Sequence, residues 1–160
     1  HGFKDFGEID WASLIPADER ASTLVVIDDH QSISRRLQEI LKNGFLHVWA
    51  DDNDKHLTGD YSFNLLCTPL AKGATNVVHH DHFAWSRTVI SAEEHQANLD
   101  YLLRHLETYF EFPPIVDGCG RVPNPLLANE SELFDLGLPS VEEDEYLYWT
   151  KRPPYVKLRP

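Results

Sequence analysis

Two short groups of oxygen- and nitrogen-bearing side chains in this sequence could do chemistry together. Asp28, Asp29 and His30 stand in VVIDDHQ, and Asp51, Asp52 and Asn53 stand further on in VWADDN. Carboxylates and amide carbonyls are hard oxygen donors of the kind that hold Mg²⁺ or Mn²⁺. An imidazole beside them can take a proton near neutral pH. Together they suggest a hydroxyl polarised by a divalent ion and deprotonated by a neighbouring base. A plainer role also fits: exposed loop acids, with Asp52, Asn53 and Asp54 making a turn and Asp28 or Asp29 helping to cap a helix.

The choice between these roles depends on the elements that carry the residues. Leu24 to Ile27 is an uninterrupted apolar run rich in β-branched residues, as in a strand buried on both faces of a parallel sheet. Phe45 to Ala50 is a second such run. Between them Ile33, Leu37, Ile40 and Leu41 fall on one helical stripe, while Arg35, Arg36, Gln38, Glu39 and Lys42 point elsewhere. Ser32 is placed to be the N-cap and Gly44 the C′ residue. A strand–helix–strand crossover makes the two strands parallel, so both acidic groups reach the same carboxyl edge, where open α/β sheets bind ligands. Neighbouring strands lie about 4.8 Å apart. An ion with oxygen ligands at roughly 2.0–2.6 Å would then be shared by Asp28 and Asp52.

A chain of 160 residues is enough for one domain with its own core. The net charge of −12 argues against nonspecific binding to nucleic acid or to an anionic membrane. No apolar run approaches a membrane span, and the start carries no signal-peptide pattern. Cys67 and Cys119 are too far apart for a zinc knuckle and too few for a disulfide framework. The absence of methionine, with His1 in first place, leads us to expect a fragment or processed product.

Elsewhere, Ile9 to Ile15 reads as a short helix, Thr58-Gly59-Asp60 as a turn, Tyr61 to Cys67 as the start of a helix or an extended piece, and Thr68 to Thr75 as a loop beside the acidic edge. The imidazoles of His79-His80-Asp81-His82 cannot all face one ion without an irregular backbone, and the group reads as a solvated loop or helix terminus, with metal binding as the lesser alternative. Ser91 to Phe110 is expected to be one packing helix. Ser91 and Glu94 make a capping box, and Leu99, Leu102, Leu103, Leu106, Tyr109 and Phe110 recur at helical spacing. Pro113 and Pro114 end it. The division expected is an α/β domain over 1–138 and a proline-rich, charged tail over 139–160 that wraps the domain or links to a partner.

Asp28 in VVIDDHQ and Asp52-Asn53 in WADDN resemble the three metal ligands of the metal-dependent class I O-methyltransferases that act on catechols and caffeoyl-CoA. A wider set of motifs resembles a group of uncharacterised plant and algal methyltransferase-like proteins. It comprises Asp5-Phe6-Gly7, Asp10-Trp11, Val26 to Gln31, Gly44-Phe45, Asp52-Asn53, Gly59 to Ser62, Glu94-His95, Asn98 and Glu111 to Pro114. The resemblance implies a Rossmann-like parallel sheet, here its C-terminal half and so incomplete. It also implies S-adenosylmethionine as cofactor, Mg²⁺ or Mn²⁺ held by Asp28, Asp52 and Asn53, and methyl transfer to an oxygen of a small-molecule acceptor.

Two departures accompany it. The glycine-rich loop that holds the cofactor in that fold is not in this sequence, so no cofactor-binding residue is assigned. Gln31 stands where the catechol-type enzymes have a lysine base, which leaves Asp29 or His30 for that role. An alternative resemblance is to the response-regulator receiver domain, whose first strand ends in an acid pair that binds Mg²⁺. A receiver also needs a phosphorylatable Asp after a later strand, and Leu65 to Gly73 contains none. A third reading is a methyltransferase-like scaffold without catalysis.

Overall fold

The computed structural model describes residues 2, 4–51, 53, 61–81, 86–112 and 153–160. The order of elements is a 3-10 turn (Phe6–Glu8), α1 (Trp11–Leu14), α2 (Ala17–Ser22), β1 (Leu24–Ile27), α3 (Ile33–Lys42), β2 (His47–Ala50), α4 (Phe63–Cys67), β3 (Asn76–Asp81), β4 (Ser86–Ser91), α5 (Ala92–His105), β5 (Leu106–Glu111) and β6 (Pro154–Leu158). The architecture is mixed α/β.

The unit β1–α3–β2 forms as its pattern dictates. Ser32 caps α3 by accepting from the Arg35 amide at 3.5 Å. Gly44 follows the helix at φ +81°, a left-handed turn that glycine enters without a Cβ penalty. The chain returns parallel to β1, in a register that sets Leu24 beside His47 and Ile27 beside Ala50. Ile33, Leu37 and Ile40 join Ile27, Val48 and Ala50 in the core.

A parallel sheet was expected, and one of its three pairings is parallel. The strand order is β1-β2-β6-β5, with β6 antiparallel to both β2 and β5. Two antiparallel steps restore direction, so β5 runs the same way as β1 and β2. The expected tail supplies the reversed strand: Pro154 to Leu158 lies inside the sheet, with Val156 and Leu158 buried. β1 is buried on one face only, since Leu24 and Val26 are 50% and 57% exposed.

Two further expectations are corrected. Asn76 to Asp81 is a strand rather than a loop or helix terminus, and it pairs antiparallel with β4; His82 is outside the described residues. The helix that starts at Ser91 ends at His105, and Leu106 to Glu111 is strand. Thr108, Tyr109 and Phe110 are good strand formers, and pairing with β6 decides between the two periodicities. Asp54 to Asp60, Pro113-Pro114 and the tail up to Arg152 fall outside the described residues, as does Cys119.

Candidate functional site

The acidic groups do meet at one edge, in a register shifted by one from the expected one. The Asp51 amide donates to the Ile27 carbonyl at 2.9 Å, extending the β1–β2 ladder by a step. Asp51 therefore stands next to Asp28 at the end of the sheet. Asp28 is exposed there, and Asp52 lies outside the described residues.

Asp29 is an anchor. Its Oδ2 accepts from Arg36 Nε at 2.6 Å, and its Oδ1 accepts from the Gln31 amide at 3.3 Å. Arg36, expected to point away from the core, has a side chain only 4% exposed. A guanidinium so placed needs its donors satisfied. Asp5 Oδ1 meets Nη2 at 2.5 Å and Glu39 Oε2 meets Nη1 at 2.6 Å. Exposed Arg35 reinforces the group through Asp5 at 2.7 Å and Glu39 at 2.8 Å. The hydrogen bonds donated by Arg36 hold the Asp5 carboxyl at about 2, and acceptance of its protons by Asp5, then Glu39, raises the Arg36 guanidinium. Gly7 allows the close approach, because a Cβ there would meet Glu39 Oε1 at 2.7 Å.

His30 adopts φ +53°, the left-handed region that a non-glycine residue rarely enters. Such conformations persist where the surroundings impose them and recur at functional sites. Here the Asp29–Arg36 bond fixes the preceding residue. His30 lines a small cavity with Ile27, Asp29, Gln31, Ile33, Ala50 and Ser62; its volume of about 20 Å³ is room for one water molecule.

Asn53 is 5% exposed and committed on several sides. Its Oδ1 accepts from the Asn64 amide at 2.8 Å, and its backbone carbonyl accepts from Asn64 Nδ2 at 2.5 Å. Its side chain also bonds the Tyr109 phenol. Tyr109 in turn donates to Glu111 Oε1 at 2.9 Å. Burial raises the Tyr109 phenol, and the bond to Glu111 raises it further. Asn53 thus ties the exit of β2 to α4 and β5.

Behind this edge lies a buried polar pair. Tyr61 and His95 are 1% and 2% exposed, and the Tyr61 hydroxyl meets His95 Nδ1 at 2.8 Å. Burial pushes the phenol up to about 12 and the imidazole down. The Tyr61 carbonyl accepts from the Ile33 amide at 2.9 Å, so the pair also holds the start of α3.

Among the described residues no group of three or more His, Cys, Asp or Glu side chains converges as a metal site. Sequence reasoning missed Arg36, Asn64, Tyr109 and Glu111. Of these only Arg36 left a local trace, three residues from Glu39 and next to the apolar stripe. Comparison with protein families, with curated proteins and with solved structures returned no match.

Proposed function

We propose that this chain is a methyltransferase-like α/β domain, with a divalent-cation site at the carboxyl edge of β1 and β2 that serves methyl transfer to an oxygen acceptor. The observation that carries this is the sheet itself. β1, β2 and β5 run one way and deliver Asp28, Asp51, Asn53 and Glu111 to a single edge, while reversed β6 is inserted between β2 and β5. A sheet that ends with its last strand reversed and inserted resembles the C-terminal half of the class I methyltransferase sheet.

On this reading Asp28, Asp52 and Asn53 would hold Mg²⁺ or Mn²⁺. When bound, such a cation would lower the pKa of an acceptor hydroxyl. His30 takes the proton, and Asp29 holds the turn through Arg36. The cavity beside His30 is not a place for S-adenosylmethionine. A ligand of that size needs a pocket of roughly 300 Å³ or more, and the cavity beside His30 takes one water. The cofactor therefore rests on the sequence resemblance alone, and no step is derived through it.

The occupied side chains of Asn53 and Asp29 favour a second reading, the non-catalytic scaffold. The receiver reading loses support, because β2 lies between β1 and β6, whereas in the flavodoxin-like order the second strand is an edge. Calorimetric titration with Mn²⁺ separates the first two. The cation site requires saturable binding that weakens at least tenfold in Asp28→Asn and in Asp52→Asn, with thermal stability little changed in Asp28→Asn, as is usual for an exposed acid. Absence of binding in the unaltered chain would leave the scaffold.

A further inference from the structure

The Tyr61 hydroxyl, just before α4, meets His95 Nδ1 at 2.8 Å, and the Thr68 carbonyl, just after α4, accepts from the same ring. A neutral imidazole has one donor nitrogen and one acceptor nitrogen. Since a carbonyl only accepts, Nε2 carries its hydrogen toward Thr68 and Nδ1 accepts from Tyr61. The Tyr61 oxygen accepts in turn from Asn98, three residues beyond His95 and so on the same face of α5. The result is a directed chain of hydrogen bonds, from Asn98 to Tyr61 to His95 to Thr68, that fastens both ends of α4 to α5. It reaches the candidate edge through Tyr61, whose carbonyl holds the amide of Ile33, the first residue of α3, at 2.9 Å. Ser62, next along the chain, caps α4 by accepting from the Leu65 amide at 3.3 Å and lines the cavity beside His30.

We infer that the Tyr61–His95 contact is a pH-operated latch, closed while the imidazole is neutral and opened when it takes a proton from solvent, and that its opening loosens α4, the start of α3 and the wall of the His30 cavity together. A proton on Nδ1 turns that nitrogen from acceptor to donor. It then meets the Tyr61 O–H hydrogen to hydrogen, and the bond as it stands is lost. An imidazolium at that depth also needs solvation that the closed arrangement denies it. Glu94 on α5 and Cys67 on α4 act on the Tyr61 hydroxyl. Arg35, Arg36 and Glu39 of α3 are engaged with one another and with Asp5 and Asp29. Residues 76–78 of β3 and 88–91 of β4 carry no charge. His95 therefore titrates against its depth and two neutral partners. Burial lowers its pKa, against the smaller pull of the Thr68 carbonyl, so the latch is closed at neutral pH and opens as pH falls below the ordinary 6.5. This inference is independent of the cation site, and no metal enters its test.

The test begins with the unaltered chain. Nitrogen-15 shifts of the His95 ring are expected to show the Nε2–H tautomer at about pH 7.5. Amide hydrogen exchange, corrected for its intrinsic pH dependence, should show Ile33 and Leu65 losing at least fivefold protection between about pH 7.5 and about pH 5. At the lower pH their exchange should respond far less to low urea than that of Ile40 inside α3, the mark of a local opening. His95→Gln can still accept from Tyr61 but does not titrate in this range, and should keep Ile33 protected at both pH values. Tyr61→Phe removes the donor and should leave Ile33 at the lower level at both. The inference is overturned by the Nδ1–H tautomer in the neutral ring, or by a pH response of Ile33 that His95→Gln retains. It is equally overturned if Ile33 and Leu65 exchange with the full urea dependence of Ile40, since His95 would then contribute only to global stability. The tautomer and the urea dependence are read on the parent chain, so they decide the matter even if a variant fails to fold.

Discussion

Asn53 and Asn64 hold each other by both backbone and side chain. The side-chain oxygen of Asn53 receives the Asn64 amide at 2.8 Å, and the side-chain amide of Asn64 reaches the Asn53 carbonyl at 2.5 Å. The pair closes the loop between β2 and α4 like a clasp, so both residues of the clasp are needed for the candidate edge to keep its shape.

Replacement of Asn53 by Ala is expected to cost about 1–3 kcal/mol, the range for leaving buried partners unsatisfied. Asn53→Asp keeps the acceptor for the Asn64 amide and loses the donor to Tyr109, and should cost less. Urea unfolding of the two variants gives the comparison; equal stability of Asn53→Ala and the parent would show that the clasp contributes nothing.

Arg36→Met leaves Asp5, Asp29 and Glu39 without their shared cation. The three acids keep some contact with water, which reduces the penalty below that of a fully buried pair. A loss of about 1.5–3 kcal/mol is expected, as for hydrogen bonds to charged groups. The amide signals of Asp29 and His30 should shift with it, since the turn loses its anchor; unchanged signals there would mean that the turn is held in some other way.

Stability should fall in two stages as pH drops. The His95 pKa is lower in the fold than the ordinary 6.5, so the unfolded chain binds the proton first. Its contribution is complete above about 6.5 and declines below that value. Asp5 follows: held at about 2 against an ordinary 3.8, it contributes above 3.8 and loses that contribution as pH falls toward 2. Thermal melts across pH should show His95→Gln without the first stage, and a Gln variant that retained it would assign that stage elsewhere.

Gly44→Ala is expected to destabilise by about 1–2 kcal/mol through the backbone alone. The added Cβ would lie 3.6 Å from Arg20 Nε, an ordinary contact, so the φ of +81° carries the penalty. Denaturant midpoints of this variant and of Gly73→Ala, also at positive φ but with open space around it, should fall together if that is right.

Legibility followed distance along the chain. Ser32, the α3 stripe and Gly44 act within one helix, so β1–α3–β2 and its acidic edge could be read from pattern. The direction of the sheet beyond β2 could not, because β6 is recruited from far along the sequence and its pairing leaves no local mark. Leu106, Tyr109 and Phe110 satisfied a helical period, and only the presence of β6 makes them strand. The roles of Asn53 and Asp29 were hidden for the same reason: each is set by a partner on another element, Asn64 or Arg36.

The position of β6 also constrains the order of assembly. It fills the gap between β2 and β5, pairing His47 with Lys157 and Tyr109 with Val156. Until residue 158 has left the ribosome, β2 and β5 have nothing to join them, and β1–α3–β2 waits with an open strand edge. Contacts so distant in sequence form slowly. A nascent chain that has released β2 and β5 without β6 therefore carries open strand edges, and closure of the four-stranded sheet should behave as a single late event rather than a progressive one.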